Sequence, residues 1–177
     1  MISSTRSAPP SVNVRVIDDQ HAVLIEKIER LEQTMAVGDD AAALSQMIRD
    51  LDDYARYHLP IEERIMESCA YPLRDMHALE HEKGLRRLLE VERMVTEGHP
   101  AAAVEMLSRL RAWLDSHIIE WDAKLGKFLN SHGVAWPANG SRGASFARER
   151  PIDNRPAGYQ RYQPAPPCEE TRLSNTA

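Results

Sequence analysis

A chain of 177 residues accommodates one domain with appended segments, and its 42% hydrophobic and 28% charged residues are ordinary for a protein with a real core. No run approaches the roughly 18 apolar residues of a membrane span, and the start, MISSTRSAPPSVNVRV, lacks the apolar stretch of a secretory signal, so a cytoplasmic protein without a membrane partner is expected. The net charge is −5; beyond residue 136 six arginines face Glu149, Asp153, Glu169 and Glu170, and with Arg6 also set aside residues 7–136 hold −8, an acidic body that excludes nucleic acid as partner.

Residues 1–12 read as a flexible arm, followed by helical periodicity over residues 18–131. The first predicted helix runs from Asp18 to Val37, with His21, Leu24, Ile28, Leu31 and Met35 at three- and four-residue steps, and Gly38 supplies its stop. The second starts near Asp39 or Asp40 and carries Leu44, Ile48, Leu51, Ala55, His58, Glu62 and Ile65 on one stripe. It ends before Tyr71-Pro72, because the residue preceding a proline avoids helical geometry. The third spans Leu73 to Glu97, with Leu73, His77, His81, Leu85, Leu88, Val91 or Glu92, and Val95 inward. Gly98-His99-Pro100 is a stop and a restart, Pro100 being suited to a first helical turn. The fourth carries Val104, Leu107, Leu110, Leu114, His117, Ile118, Leu125 and Leu129. No strand-like alternation interrupts these segments. Four long helices on short loops predict an all-α, up-down-up-down antiparallel four-helix bundle over residues 13–132. Residues 133–177, rich in Pro, Gly, Arg, Ser and Asn, read as a disordered tail whose partner is left open.

The apolar stripes carry a consistent set of polar intruders: His21 on the first helix, His58 and Glu62 on the second, His77 and His81 on the third, His117 and Asp122 on the fourth. A four-residue spacing puts two side chains only about 40° apart around a helix. Singly, each has a bland explanation: a hydrogen-bonded core histidine, a chance HxxxH, a solvated acidic pair at Glu62-Glu63, a surface Asp122. Together the bland explanations fail, since five of seven histidines would need separate buried partners on four helices. Unpaired burial costs several kcal/mol, whereas a metal satisfies all of them at once. Imidazole and carboxylate suit iron, zinc or manganese, and the two distant cysteines, Cys69 and Cys168, rule against thiolate chemistry. Seven ligands exceed what one ion takes. Two bridging carboxylates leave five nitrogens to be split three and two, and one bridging oxo or hydroxo group then gives six ligands to one metal and five to the other.

The stretches IDDQH (17–21), HLPIEE (58–63), YPLRDMHALEH (71–81) and WLDSHIIEWD (113–122) resemble hemerythrins, the single-domain bacterial ones in particular, over about residues 13–131. The resemblance implies two non-haem iron ions. His77, His81 and His117 would hold the coordinatively full iron, and His21 and His58 the iron with a vacancy, bridged by Glu62 and Asp122. Leu114 and Ile118 match apolar positions of the dioxygen pocket. Leu59-Pro60 departs from the family's usual Phe followed by a helix former, and an interior proline typically costs about 3 kcal/mol. Tyr57, Trp113 and Trp121 read as packing residues, and His99 and His132 are given no role. The expected function is reversible dioxygen binding by a monomer that is not an enzyme; the alternative is a di-iron peroxidase or nitric oxide reductase. Carboxylate-rich di-iron oxidases take roughly four carboxylates from paired Glu-x-x-His motifs, which these stripes lack. A pure interaction module would leave the cluster without purpose.

Overall fold

Among residues 10–38 and 40–134, which the computed structural model describes, all regular structure is helical. Helix α1 covers Arg15–Val37, α2 Ala41–Ser68 and α3 Arg74–Thr96; α4, Pro100–His117, passes through a π-helical turn, Ile118–Asp122, into α5, Ala123–Ser131. α4, the π turn and α5 form the fourth rod. Neighbours in sequence pack together and α1 closes the ring against α4, so the bundle is up-down-up-down. No described helix is long and apolar enough to cross a membrane.

The helix ends follow from local chemistry. α1 begins three residues before Asp18, the expected start, because Asp18 works backwards from the first turn. Its carboxylate accepts from the Val12 amide and the Ser11 hydroxyl, both at 2.8 Å. Gly38 ends the helix at φ 78°, where a side chain would be strained. Asp40 caps α2 by accepting from the Ala42 amide at 3.3 Å. Pro100 occupies the first turn of α4, as expected.

Pro60 does not interrupt α2. It faces solvent, so the Arg56 carbonyl that loses a helical donor lies on the side where water can reach it.

The core holds Ile17, Leu24, Ile28 and Leu31 of α1, Ile48, Leu51 and Ile65 of α2, Leu88 and Val91 of α3, and Leu107, Leu110, Leu125 and Leu129 of the fourth rod. Two predicted inward positions are corrected. Val104 is 47% exposed and Ala103 is buried instead. Both lie one turn before Leu107, and the helix turns the smaller one inward. Leu85 is only half-buried because Gly84 occupies the closest approach of α3 to Trp113. The expected arm and tail fall mostly at 1–9 and 135–177, outside the described residues. Of the rest, Val12 is core, seated against Gly126, and Val134 packs on the core edge.

Candidate metal centre

All four rods turn polar side chains into one place in this core. His21, His58, Glu62, His77, His81, His117 and Asp122 are each at most 3% exposed. The pairs on α2 and α3 share a face through their four-residue spacing. His117 and Asp122, five apart, would lie about 140° apart on a regular helix. The π turn between them removes that mismatch, its wider winding marked by the Ala123 amide donating to the Ile118 carbonyl five residues back. His117 Nε2 thereby comes within 3.2 Å of Asp122 Oδ1.

The five Nε2 atoms converge on the two carboxylates and fall into two sets. Glu62 Oε2 lies 3.2 Å from His81 and 3.8 Å from His77, while Asp122 Oδ1 lies 2.9 Å from His77 and 3.2 Å from His117. On the other side Glu62 Oε1 is 3.6 Å from both His21 and His58, and Asp122 Oδ2 is 3.1 Å from His21. Each carboxylate thus gives one oxygen to a three-histidine set and the other to a two-histidine set. Donor atoms of Glu62, His77, His81, His117 and Asp122 lie within 4.8 Å of one another, as do those of His21, His58 and Glu62.

These donors fit metal ions better than each other. Both oxygens of Glu62 and of Asp122, and the inward nitrogens of His21 and His81, are buried without a well-formed hydrogen bond. Each such group costs about 1–3 kcal/mol if left unsatisfied. Burial pushes imidazoles towards neutrality, but at His21 the Asp122 and Glu62 carboxylates outweigh it and raise the pKa to about 9. At His81 burial is likewise outweighed, by Glu62 and Glu63, and the pKa is again pushed up to about 9. At His58 burial prevails over Glu62 and lowers it to about 4. Burial also lowers His77 despite Asp122. Burial would raise both carboxyls, yet the surrounding imidazoles hold Glu62 and Asp122 below the usual carboxylate range. Positive charge is wanted at this point, and bound cations supply it without protons.

The hemerythrin HHE cation-binding domain family matches residues 12–129, two thirds of the chain and the whole bundle apart from its last turn. The chain belongs to the hemerythrin family. It is 32% identical over 113 residues to the bacteriohemerythrin of Pseudomonas aeruginosa, covering 64% of this chain and 72% of that one. The bacteriohemerythrin of Stenotrophomonas maltophilia is 30% identical over 122 residues, 69% and 78% of the two chains. That of Methylococcus capsulatus is 26% identical over 119 residues, 67% and 90%.

Around the centre of this hemerythrin stand residues that are not metal-ligand candidates by type or place on the stripes. Gln20 Oε1 accepts from His58 Nδ1 at 2.8 Å, and Glu63 Oε1 lies 3.0 Å from His81 Nδ1. A partner on the outer nitrogen leaves Nε2 to face the centre. Gln20 carried a readable signal: it lies three residues after Ile17 and four before Leu24, on the apolar stripe of α1. Glu63 carried none beyond its adjacency to Glu62. Leu114 and Ile118 flank His117 in the chain and are both buried.

Proposed function

We propose that this hemerythrin holds two iron ions and binds dioxygen reversibly, with the bundle of residues 13–132 as the working domain. The observation that carries the reading is the sharing of Glu62 and Asp122 between a set of three imidazoles and a set of two. His77, His81 and His117 would serve one iron, His21 and His58 the other, and Glu62 and Asp122 both. The two-histidine position has one protein donor fewer, which leaves room for a small exogenous ligand. Iron bound there in its reduced state would supply the two electrons that dioxygen takes up and gives back on release. The protein's part is to hold neutral imidazoles, which favour the lower oxidation states over anionic oxygens, and to keep water away. Leu114 and Ile118 contribute apolar walls beside His117 for that second task. The kinship with bacteriohemerythrins supports the same reading.

The test is anaerobic reduction of iron-loaded protein followed by oxygen titration under absorption spectroscopy. The carrier reading expects saturation near one dioxygen per iron pair and recovery of the reduced spectrum under vacuum. Continuous consumption of oxygen, peroxide or nitric oxide with reductant, well above autoxidation, would replace it with the enzyme reading.

A further inference from the structure

We propose that Trp113, seated on the bare backbone of Gly84, is the positioning residue for His117, and through it for the three-histidine iron; this rests on the two-iron reading above. The candidate ligands are oriented in different ways. His58 and His81 have their outer nitrogens engaged by Gln20 and Glu63. His117, like His21 and His77, has no such anchor: its Nδ1 is buried and makes no hydrogen bond. Its inward Nε2 meets His77 Nε2 at 3.1 Å and Asp122 Oδ1 at 3.2 Å, but no polar group on the outer side of the ring holds it in that orientation. The His77 and His81 rings meet it tilted, at 4.9 and 5.1 Å, whereas the Trp113 indole stacks on it at a centroid distance of 4.9 Å and an interplanar angle of 30°. The other tryptophan at the centre, Trp121, meets His77 at 5.7 Å and a tilted 43°. Trp113 and His117 are four apart on α4, so the indole covers the imidazole along one face of the helix.

The indole lies flat only because α3 has no side chain opposite it. A Cβ at Gly84 would fall within 2.7 Å of Trp113 Cζ2 and nearer still to Cη2 and Cζ3, where ordinary contact begins at 3.4 Å. Any side chain there moves the indole by the better part of an ångström or more. Glycine is the poorest helix former after proline, so its place in the interior of α3 calls for a reason. The seat for Trp113 is that reason. Gly84, Trp113 and His117 form one stack from the α3 backbone to the centre.

The experiment uses the full chain and three variants: Gly84→Ala, Trp113→Leu, and Gly84→Ala combined with Trp113→Phe. Crystal structures of the metal-free proteins read the His117 ring directly. In wild type its Nε2 lies 3.1 Å from His77 Nε2 and 3.2 Å from Asp122 Oδ1. Both contacts should be lost in the two single variants while His58 keeps Gln20. Anaerobic ferrous titration of the apo proteins should show one of the two irons bound about tenfold more weakly in each single variant, the low end for losing a ligand's orienting partner. The double variant, whose smaller ring clears the new Cβ, should recover part of that loss. His117 holding both contacts in the single variants, or both irons binding as in wild type, would overturn the proposal. If Gly84→Ala does not fold, Trp113→Leu decides alone. If wild type binds fewer than two irons, the two-iron reading fails, and the His117 contacts still decide this one.

Discussion

Ile118 is fully buried, follows His117 directly and opens the π turn. Its side chain is apolar beside the ionisable His117, and the proposed function needs such a wall to keep water out. Ile118→Glu would place an extra carboxylate there and draw water with it. Both irons should be retained, because none of the seven donors is touched and the new acid finds a cation instead of lying unpaired. Stable dioxygen binding should be lost and autoxidation accelerated severalfold, read from iron analysis and from the decay of the oxygenated spectrum in air. Unchanged oxygen release and autoxidation in the variant would remove Ile118 from the pocket. Leu114, one turn earlier on the same face, is the natural second position to probe.

At the scale of the helix, α2 carries two donors on either side of an interior proline. Pro60 faces solvent while His58 and Glu62 face the centre, so the backbone defect and the site occupy opposite sides of one turn. Pro60→Ala restores a donor for the Arg56 carbonyl and should stabilise the protein by about 1–3 kcal/mol, reduced by the freedom the unfolded chain regains. Iron stoichiometry should not change, as measured by denaturant unfolding and metal analysis. Loss of an iron would mean that the proline sets the distance between His58 and Glu62. The helices themselves were legible because apolar spacing, Gly38, Pro72 and Pro100 all point one way. The widened turn in the fourth rod was legible too, from the five-residue gap between His117 and Asp122. What the sequence concealed was register among near-equivalent positions: Ala103 for Val104, and Gly84 beside Leu85. Periodicity allows both members of each pair, and only the neighbouring helix chooses. Gln20 differs: its place on the apolar stripe is readable, but a neutral amide is no metal-ligand type, so its contact with His58 shows only in the structure.

Across the whole molecule, much of the surface charge is spent on exposed pairs along single helices, such as Arg86 with Glu82 and Arg93 with Glu97, each worth little. The buried cluster therefore dominates the response to pH. In metal-free protein His21 and His81 sit near 9, above their ordinary 6.5, so the stability they add is complete below about 6.5 and is lost as pH rises through 9. His58, near 4, acts oppositely: its contribution is present above 6.5 and is lost as pH falls towards 4. Glu62 and Asp122, both lowered, add a further loss in acid. Metal-free stability should therefore peak near pH 6.5 and fall on both sides. Metal held by His21 and His81 would displace their protons, so the gain in stability on loading should grow between pH 6.5 and 9. Denaturation of apo and loaded protein from pH 5 to 9.5 measures both curves, and an apo curve flat from 6.5 to 9 would contradict the assignment.

The most direct measurement is a crystal structure of the iron-loaded protein with anomalous scattering at the iron edge. Two peaks should lie about 3.5–4 Å apart, as in other two-metal sites. One should be met by His77, His81 and His117, the other by His21 and His58, with Glu62 and Asp122 reaching both. A single peak, or two peaks with any of the seven side chains turned away from them, would contradict the account.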